Sequence, residues 1–352
     1  MERKRVTLKD IAKEAGVSIG TVDRVLHARG EVAEATKNKI LELAEEMHYK
    51  PNILARALTS KRSYNVVALL PRAGEVDIYW ESHVAGIKAQ TQTLEAYAFR
   101  VTIIDFDLYS ETDFQQQTQK VLDLHPDGVI FAPIFKKESI AFCETLDTHL
   151  IPYIFIDTYI EDTNCKYFIG EDAFQGGRVA ASVIDFGLDI SKDILVVNIA
   201  KDMENIQHLT SRNRGFVSYF ENKGRNSGRR ISTDIPTTDS DVVKTYLDKA
   251  FSDNPNIGAI WVSGAKTYII ARYLEQTSRD NIILVGHDVH NANIEYLQRN
   301  YIQCLIAQQP REQGVKTVNT MFNILAENIQ PPRLEYQKIE IVNSENVGFY
   351  VD

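Results

Sequence analysis

The sequence predicts a small all-α helix-turn-helix headpiece followed by an α/β body of two doubly wound parallel-sheet lobes. Its first 62 residues place apolar side chains at helical spacing, whereas continuous apolar runs alternate with amphipathic helical segments from Asn65 onward. Strands buried on both faces of a parallel sheet require such runs, and the helical segments supply the crossovers. The runs are NVVALLP, VTIIDFD, DGVIFAP, IPYIFID, ILVVNIA, IGAIWVS and IILVGHD. We expect a ligand in the cleft between the strand ends of the two lobes.

The headpiece pattern begins with Thr7 and Asp10 at capping-box spacing, which predicts the start of a helix. Gly16 stands where a left-handed helix end is needed, and Ser18 can cap a second helix. Two helices joined by so short a turn form a DNA-reading unit whose second helix can enter a major groove. A third helix is predicted over residues 36–48, because its apolar positions form a stripe that would cover the first two helices.

Charge is distributed unevenly along the chain. Residues 1–62 hold 13 Lys and Arg against 9 Asp and Glu, although the whole chain has a formal net charge of -9. A basic headpiece therefore precedes an acidic body. This arrangement favours nucleic-acid contact at the headpiece, while the acidic body is held off the phosphates.

Several function classes find no support in the sequence. The three cysteines are odd in number and widely separated, which matches neither a disulfide framework nor a zinc motif. No GxGxxG, Walker A, HExxH or GxSxG pattern occurs, so we expect no cofactor, no metal and no catalytic residue. No stretch approaches the roughly 18 apolar residues of a membrane span, and the N-terminus lacks an apolar signal region, so we expect a cytoplasmic protein.

The stretch from Val6 to Arg62 resembles the headpiece of the lactose-repressor (LacI/GalR) family of transcriptional regulators. The motifs that carry the resemblance are DIAKEAGVS, TVxRVL, YKPN and ILARALTSKRS, the last of which is similar to the family's hinge helix. A hinge of about 11 residues without an apolar stripe would fold only on DNA. The resemblance implies base reading by Ile19, Gly20 and Arg24, a base or phosphate contact by His27, minor-groove insertion of Leu58 beside Ala55, and further DNA contacts by Thr7, Ser18, Thr21, Asn52 and Lys61.

The body, across most of residues 64–345, resembles the type I periplasmic sugar-binding fold, particularly its ribose-type branch. The resemblance implies effector contacts by Tyr79, Trp80, Asp157, Asp172, Arg212, Asp288 and Gln308. Other roles stay open for some of these residues: a structural salt bridge for Arg212 or Asp288, lobe packing for Trp80, and capping for Asp157 or Asp172.

One departure from the family pattern bears on the effector. Where the family commonly shows an Asn-Asp pair, this chain has Val262-Ser263-Gly264-Ala265, so plain ribose is not the expected ligand. Another pentose or hexose, a sugar acid paired to Arg212, a polyol and a phosphorylated sugar all stay compatible with the sequence.

The predicted organisation assigns residues 1–50 to the headpiece, 51–63 to the hinge and 64–352 to the effector-binding domain. Within that domain we expect an N-lobe over about 64–160 and 291–322, and a C-lobe over about 161–290 and 323–352. The resemblance implies a repressor that binds a roughly palindromic operator as a homodimer and responds to a small sugar, sugar acid or polyol. The alternatives are a sugar-binding protein, or a carbohydrate-active enzyme, with an accessory DNA-binding head.

Overall fold

The computed structural model describes residues 6–26, 32–47, 62–74, 79–189, 191–199, 207–224 and 228–350. The chain divides near residue 63 into two compact units, a helical headpiece and an α/β body. Each unit is described by itself below.

The headpiece consists of three helices, α1 (Leu8–Ala15), α2 (Ile19–Leu26) and α3 (Glu34–Glu46). The predicted capping box is present: the Thr7 backbone N–H donates to Asp10 Oδ2 at 2.8 Å, and Asp10 N–H donates to Thr7 Oγ1 at 3.3 Å. Gly16 ends α1 in the left-handed conformation at φ 72°. The third helix begins two residues earlier than predicted. A small apolar core joins the helices, formed by Ile11, Ala12, Ala15, Val22, Val25 and Ile40.

The body is built from strands and helices that alternate along the chain. Its strands β1 to β12 are, in order, Tyr64–Pro71, Phe99–Phe106, Gly128–Phe131, Tyr153–Asp157, Tyr167–Gly170, Asp193–Ile199, Arg230–Ile235, Ile257–Val262, Ile283–His287, Cys304–Ala307, Leu334–Tyr336 and Glu340–Val342. Its helices α4 to α12 are Tyr79–Leu94, Glu111–Asp123, Lys136–Thr148, Ala173–Gly187, Gln207–Asn222, Ser240–Asp253, Thr267–Gln276, Asn291–Gln298 and Pro310–Glu327.

The strands form two six-stranded sheets, which confirms the predicted fold class. The first sheet has the order β11-β5-β4-β3-β1-β2 and the second has the order β12-β10-β9-β8-β6-β7. Their pairings are parallel, except that β12 runs antiparallel to β10. Six of the seven predicted apolar runs form inner strands of the sheets, and β3, β6 and β8 are buried along their whole length, as strands covered on both faces must be. The run VTIIDFD forms the edge strand β2, which is only partly buried.

The predicted lobe boundaries are wrong at three places. Strand β5 pairs with β4 in the first lobe, although residues from 161 onward were assigned to the other lobe. Strand β10, within the segment 291–322, lies in the second sheet, and β11 returns to the first sheet beside β5. An apolar run indicates a buried strand but not the sheet in which it pairs. The chain therefore crosses between lobes after Gly170, after Ala307 and after Tyr336.

Close contact between α7 and α8 positions one cleft residue of the second lobe. A Cβ atom added to Gly177 on α7 would lie 1.9 Å from the carbonyl oxygen of Arg212 on α8. Only glycine leaves room for the two backbones at this separation. The contact fixes the first turns of α8 against α7. It thereby holds Arg212 near the carboxyl ends of the strands of the second sheet.

Candidate functional site

A cleft lies between the lobes at the carboxyl ends of the parallel strands, where open α/β sheets bind ligands. It encloses about 860 Å³, counted out to its open mouth. The residues after β1 to β4 line it from the first lobe, and those after β6, β8, β9 and β10 line it from the second. Six of the seven predicted effector residues line this cleft: Tyr79, Trp80, Asp157, Arg212, Asp288 and Gln308.

A chain of hydrogen bonds connects the lobes across the cleft floor. The Tyr79 hydroxyl donates to Asp157 Oδ1 at 2.6 Å and lies 2.9 Å from Gln308 Oε1. The Gln308 amide nitrogen donates to Asp288 Oδ1 at 2.9 Å. The first two residues belong to the first lobe, Asp288 belongs to the second, and Gln308 lies on the crossing after β10. Polar groups of both lobes are thus held together where a bound ligand would touch them.

Both cleft aspartates end a strand in the left-handed backbone region. Asp157 is the last residue of β4 and has φ 70°, and Asp288 follows β9 directly with φ 68°. A non-glycine residue in this region costs energy, which surrounding contacts must offset. At Asp288, hydrogen bonds from the fully buried Asn293 offset the cost of this backbone conformation. The Asn293 side-chain amide donates to the carbonyl oxygens of Asp288 at 2.8 Å and His287 at 3.0 Å. Sequence reasoning missed Asn293, because nothing local marks an asparagine that supports a distant turn.

Arg212 is held by a buried ion pair. Its Nε donates to Glu171 Oε2 at 2.9 Å, its Nη2 contacts the same oxygen, and its Nη1 donates to the carbonyl of Ser263 at 2.8 Å. The side chains of Arg212 and Glu171 are only 3% and 4% exposed. Arg212 therefore forms the structural salt bridge that the sequence left open as an alternative role. The residue also lines the cleft.

Trp80 combines packing with a place on the cleft wall. It is 3% exposed, and its ring stacks on His83 with centroids 4.7 Å apart. Tyr79 meets the Trp80 ring edge-on at 5.4 Å. The aromatic cluster at the start of α4 thus gives the cleft one rigid apolar wall, of the kind that stacks against a sugar ring.

Asp172 lies apart from the other predicted effector residues. Its side chain accepts a hydrogen bond from the backbone of Gln175 at 3.0 Å and so caps α7. It lines a neighbouring cavity and not the cleft. The buried carboxylate that contacts Arg212 is Glu171, one residue earlier, and an effector contact by Asp172 stays a prediction.

Two cleft groups that sequence reasoning missed are Lys266 and His208. Lys266 follows the Val262–Ala265 stretch, and its Nζ contacts the Tyr109 hydroxyl and lies 4.9 Å from the Tyr109 ring centre. Since Tyr109 follows β2 and Lys266 follows β8, this contact spans the two lobes. Burial, with a smaller effect of Arg212, lowers the pKa of His208 to about 4, so its imidazole is neutral near pH 7.

Burial raises the pKa of Asp288 to about 7, while the positive charge of Arg212 opposes that rise. The folded protein therefore binds a proton more tightly than the unfolded chain does, and stability falls as pH rises from about 4 to about 7. We expect Asp288→Asn, which keeps the shape and the Gln308 contact, to raise the melting temperature at pH 8 and to change it little at pH 5. An equal shift at both pH values would show that Asp288 does not titrate in this range.

The described DNA-contact candidates lie on exposed parts of the headpiece. Ser18, Gly20 and Arg24 are exposed, and Ile19 is 48% exposed although it is apolar. The Ser18 hydroxyl accepts from the backbone N–H of Thr21 at 3.1 Å, which confirms that Ser18 caps α2. Thr7 is exposed at the start of α1. The remaining candidates, His27, Asn52, Ala55, Leu58 and Lys61, lie outside the described residues.

Family models match both units of the chain. A periplasmic binding protein domain matches residues 67–329, which defines the class of the body. The model of bacterial regulatory proteins of the lacI family matches residues 7–52. The body therefore belongs to the periplasmic binding protein domain family, and it follows an N-terminal helix-turn-helix domain of the lacI family of bacterial regulatory proteins.

Individual relatives match over parts of their length. The chain is 34% identical to the HTH-type transcriptional regulator DegA of Bacillus subtilis over 156 residues, which is 43% of this chain and 44% of that protein. It is 46% identical to the sucrose operon repressor of Klebsiella pneumoniae over 74 residues, or 20% of this chain and 22% of the repressor. The chain thus spans less than half the length of the curated relatives it matches.

Solved structures resemble the body. A LacI transcriptional regulator from Bacteroides fragilis superposes with a TM-score of 0.74 at 27% identity, covering 82% of this chain and 100% of that one. A glucose-galactose binding protein from Geobacillus stearothermophilus gives a TM-score of 0.73 at 19% identity, covering 82% and 99%, and shows a shared fold. In the part of the chain that the structure describes, every helix is too short or too polar to cross a membrane.

Proposed function

We propose that this protein is a homodimeric transcriptional repressor of the cytoplasm whose operator affinity is controlled by a neutral sugar or polyol in the interlobe cleft. The proposal rests on one combination: an exposed reading helix capped by Ser18, and a cleft with aromatic and hydrogen-bonding walls in the same chain. The first feature suits a major groove and the second suits a small polar ligand. A homodimer would place two headpieces on a roughly palindromic operator.

The cleft offers the groups that carbohydrate recognition needs. Trp80 supplies an apolar face, Asp157 and Asp288 accept hydrogen bonds from hydroxyls, and Lys266 and Gln308 donate them. Hydrogen bonds from hydroxyls to carboxylates are stronger than those between neutral groups. The set therefore favours a ligand with several hydroxyls.

The charges of the cleft distinguish a neutral ligand from a sugar acid. Arg212, the expected partner of a ligand carboxylate, already donates two hydrogen bonds to Glu171. An incoming carboxylate would compete with Glu171 and would lie among Asp157 and Asp288, where like charges repel. Neutral sugars and polyols avoid both costs.

Control of DNA affinity follows from a ligand that touches both lobes. A sugar bonded to Asp157 of the first lobe and Asp288 of the second stabilises one relative arrangement of the lobes over others. The three crossings after β5, β10 and β11 are the points at which the lobes rotate. The coupling is reciprocal, so a sugar that weakens operator binding must itself bind less tightly to the operator-bound protein.

A thermal-shift screen of the full chain tests the proposal. We expect a neutral sugar or polyol at a hundred times its Kd to stabilise the protein by about 2.7 kcal/mol and to raise its Tm. Asp157→Asn should weaken that shift, because a charged acceptor becomes a neutral one of the same shape, while Asp253→Asn on the distant α9 should not. The same sugar should lower affinity for DNA selected by the protein from a random pool. Stabilisation by sugar acids alone would contradict the proposed effector class.

A further inference from the structure

A second cavity, here called the side cavity, opens beside the cleft and encloses about 580 Å³, counted out to its mouth. The two spaces share a wall formed by Asp157, Glu171, Ala173 and His208. Asp157 ends β4, so the cleft lies over the β3-β1-β2 side of the first sheet and the side cavity lies over β5 and β11.

Aromatic rings form one wall of the side cavity. Tyr159 packs on Phe168 with ring centroids 5.1 Å apart, and Phe168 meets Tyr336 edge-on at 6.0 Å. Phe174 lies at the start of α7. Tyr336 is 52% exposed and Phe174 is 37% exposed, so both still offer apolar surface to a ligand.

Glu171 adds an unused acceptor to the wall that the cleft and the side cavity share. Its Oε2 bonds to Arg212, but its Oε1 is buried without a hydrogen-bond donor among the described residues. The residue is 7% exposed, so bulk water reaches it poorly. This oxygen packs against Gly176 in the first turn of α7, because a Cβ atom added at Gly176 would lie 1.7 Å from it.

We propose that the effector is a disaccharide, with one sugar unit in the cleft and the second against the aromatic wall of the side cavity. This inference rests on the proposed function and deepens it. The linkage between the units would pass Asp157 and Glu171, which line both spaces. Rings for stacking and carboxylates for hydroxyls are the two kinds of group that a pyranose unit needs.

The negative charge of the side cavity also bears on the chemical class of the second sugar unit. The described residues that line the side cavity include Asp157, Glu161, Glu171 and Asp172 and contain no lysine or arginine. A uronic acid unit would place its carboxylate among like charges, whereas a neutral unit would not. The charge of this cavity therefore disfavours an acidic second unit.

Titration calorimetry on the full chain compares parent monosaccharides with their disaccharides: glucose with maltose and cellobiose, galactose with lactose, xylose with xylobiose, and galacturonic acid with its dimer. We expect one neutral disaccharide to bind at least about tenfold more tightly than its parent monosaccharide. Tyr336→Ala should remove that gain and leave the affinity for the monosaccharide unchanged. Phe349→Ala, a change at a ring that is 90% exposed, is the matched control.

The outcomes separate this inference from the proposed function. If monosaccharides bind and no disaccharide gains affinity, or if the gain survives both Tyr336→Ala and Phe174→Ala, the side cavity holds no sugar unit while the cleft remains a sugar site. Preferential binding of the galacturonic acid dimer overturns the charge argument. If neither monosaccharides nor disaccharides bind, the inference and the proposed function fail together. Retained monosaccharide binding by Tyr336→Ala shows that the variant is folded.

Discussion

Arg212→Ala is expected to lower the free energy of unfolding by about 3 to 5 kcal/mol, the usual cost of removing one partner from a buried ion pair. The variant leaves the Glu171 carboxylate 4% exposed and without its only described cation. Burial already raises the pKa of Glu171, and loss of Arg212 removes the charge that opposes this rise. The expected loss is therefore larger at pH 8, where Glu171 must ionise, than at pH 5, where it can be buried neutral.

Urea denaturation at the two pH values measures this effect. The control is the double variant Arg212→Met with Glu171→Gln, which removes both charges and should recover most of the stability. A single variant as stable as the wild type would mean that water or another group satisfies Glu171. This destabilisation also makes Arg212→Ala a poor probe of effector binding, because a lost thermal shift would not separate folding from ligand contact.

Arg24→Ala is expected to reduce affinity for DNA selected by the wild-type protein by roughly 30-fold or more, because each lost base contact costs about 1 to 3 kcal/mol and a dimer loses two. Arg24 is exposed on α2, and among the described residues its Nε donates to the backbone oxygen of Gly20 at 3.2 Å, so the change should leave the headpiece folded.

Fluorescence anisotropy on the selected DNA provides the measurement. Lys137→Ala, which removes an exposed cation from the body, should change affinity little. If Arg24→Ala weakened binding to selected and random DNA equally, Arg24 would contact phosphate and not a base edge. Unchanged affinity would remove Arg24 from the DNA interface.

Features encoded by near neighbours in the chain could be predicted from the sequence. The capping box of Thr7 and Asp10, the helix end at Gly16 and the cap at Ser18 each involve residues within three or four positions. The buried strands also followed from local composition. These signals were sufficient for the headpiece and for the two-lobed fold class.

Long-range partners could not be predicted in the same way. Arg212 was predicted as a cleft residue, but its partner Glu171 lies 41 positions away and no local pattern marks that pairing. The register of β5 and β11, which pair across 166 positions, has no local signal either. Lys266 was missed because the sequence pattern drew attention to the missing polar pair before it and not to the cation after it.

The interleaved course of the chain through the two lobes has a consequence for synthesis. When translation reaches Ala307, the second sheet lacks only its edge strand β12, whereas the first sheet still lacks β11 and the helix α12 that packs on β3, β4 and β5. At that point the lobe that begins later in the sequence is the more nearly complete of the two, although its core still awaits Val342 and Val347. The earlier lobe must keep apolar strands from aggregating until almost the whole chain has been made, and nascent chains at this stage should depend on chaperones.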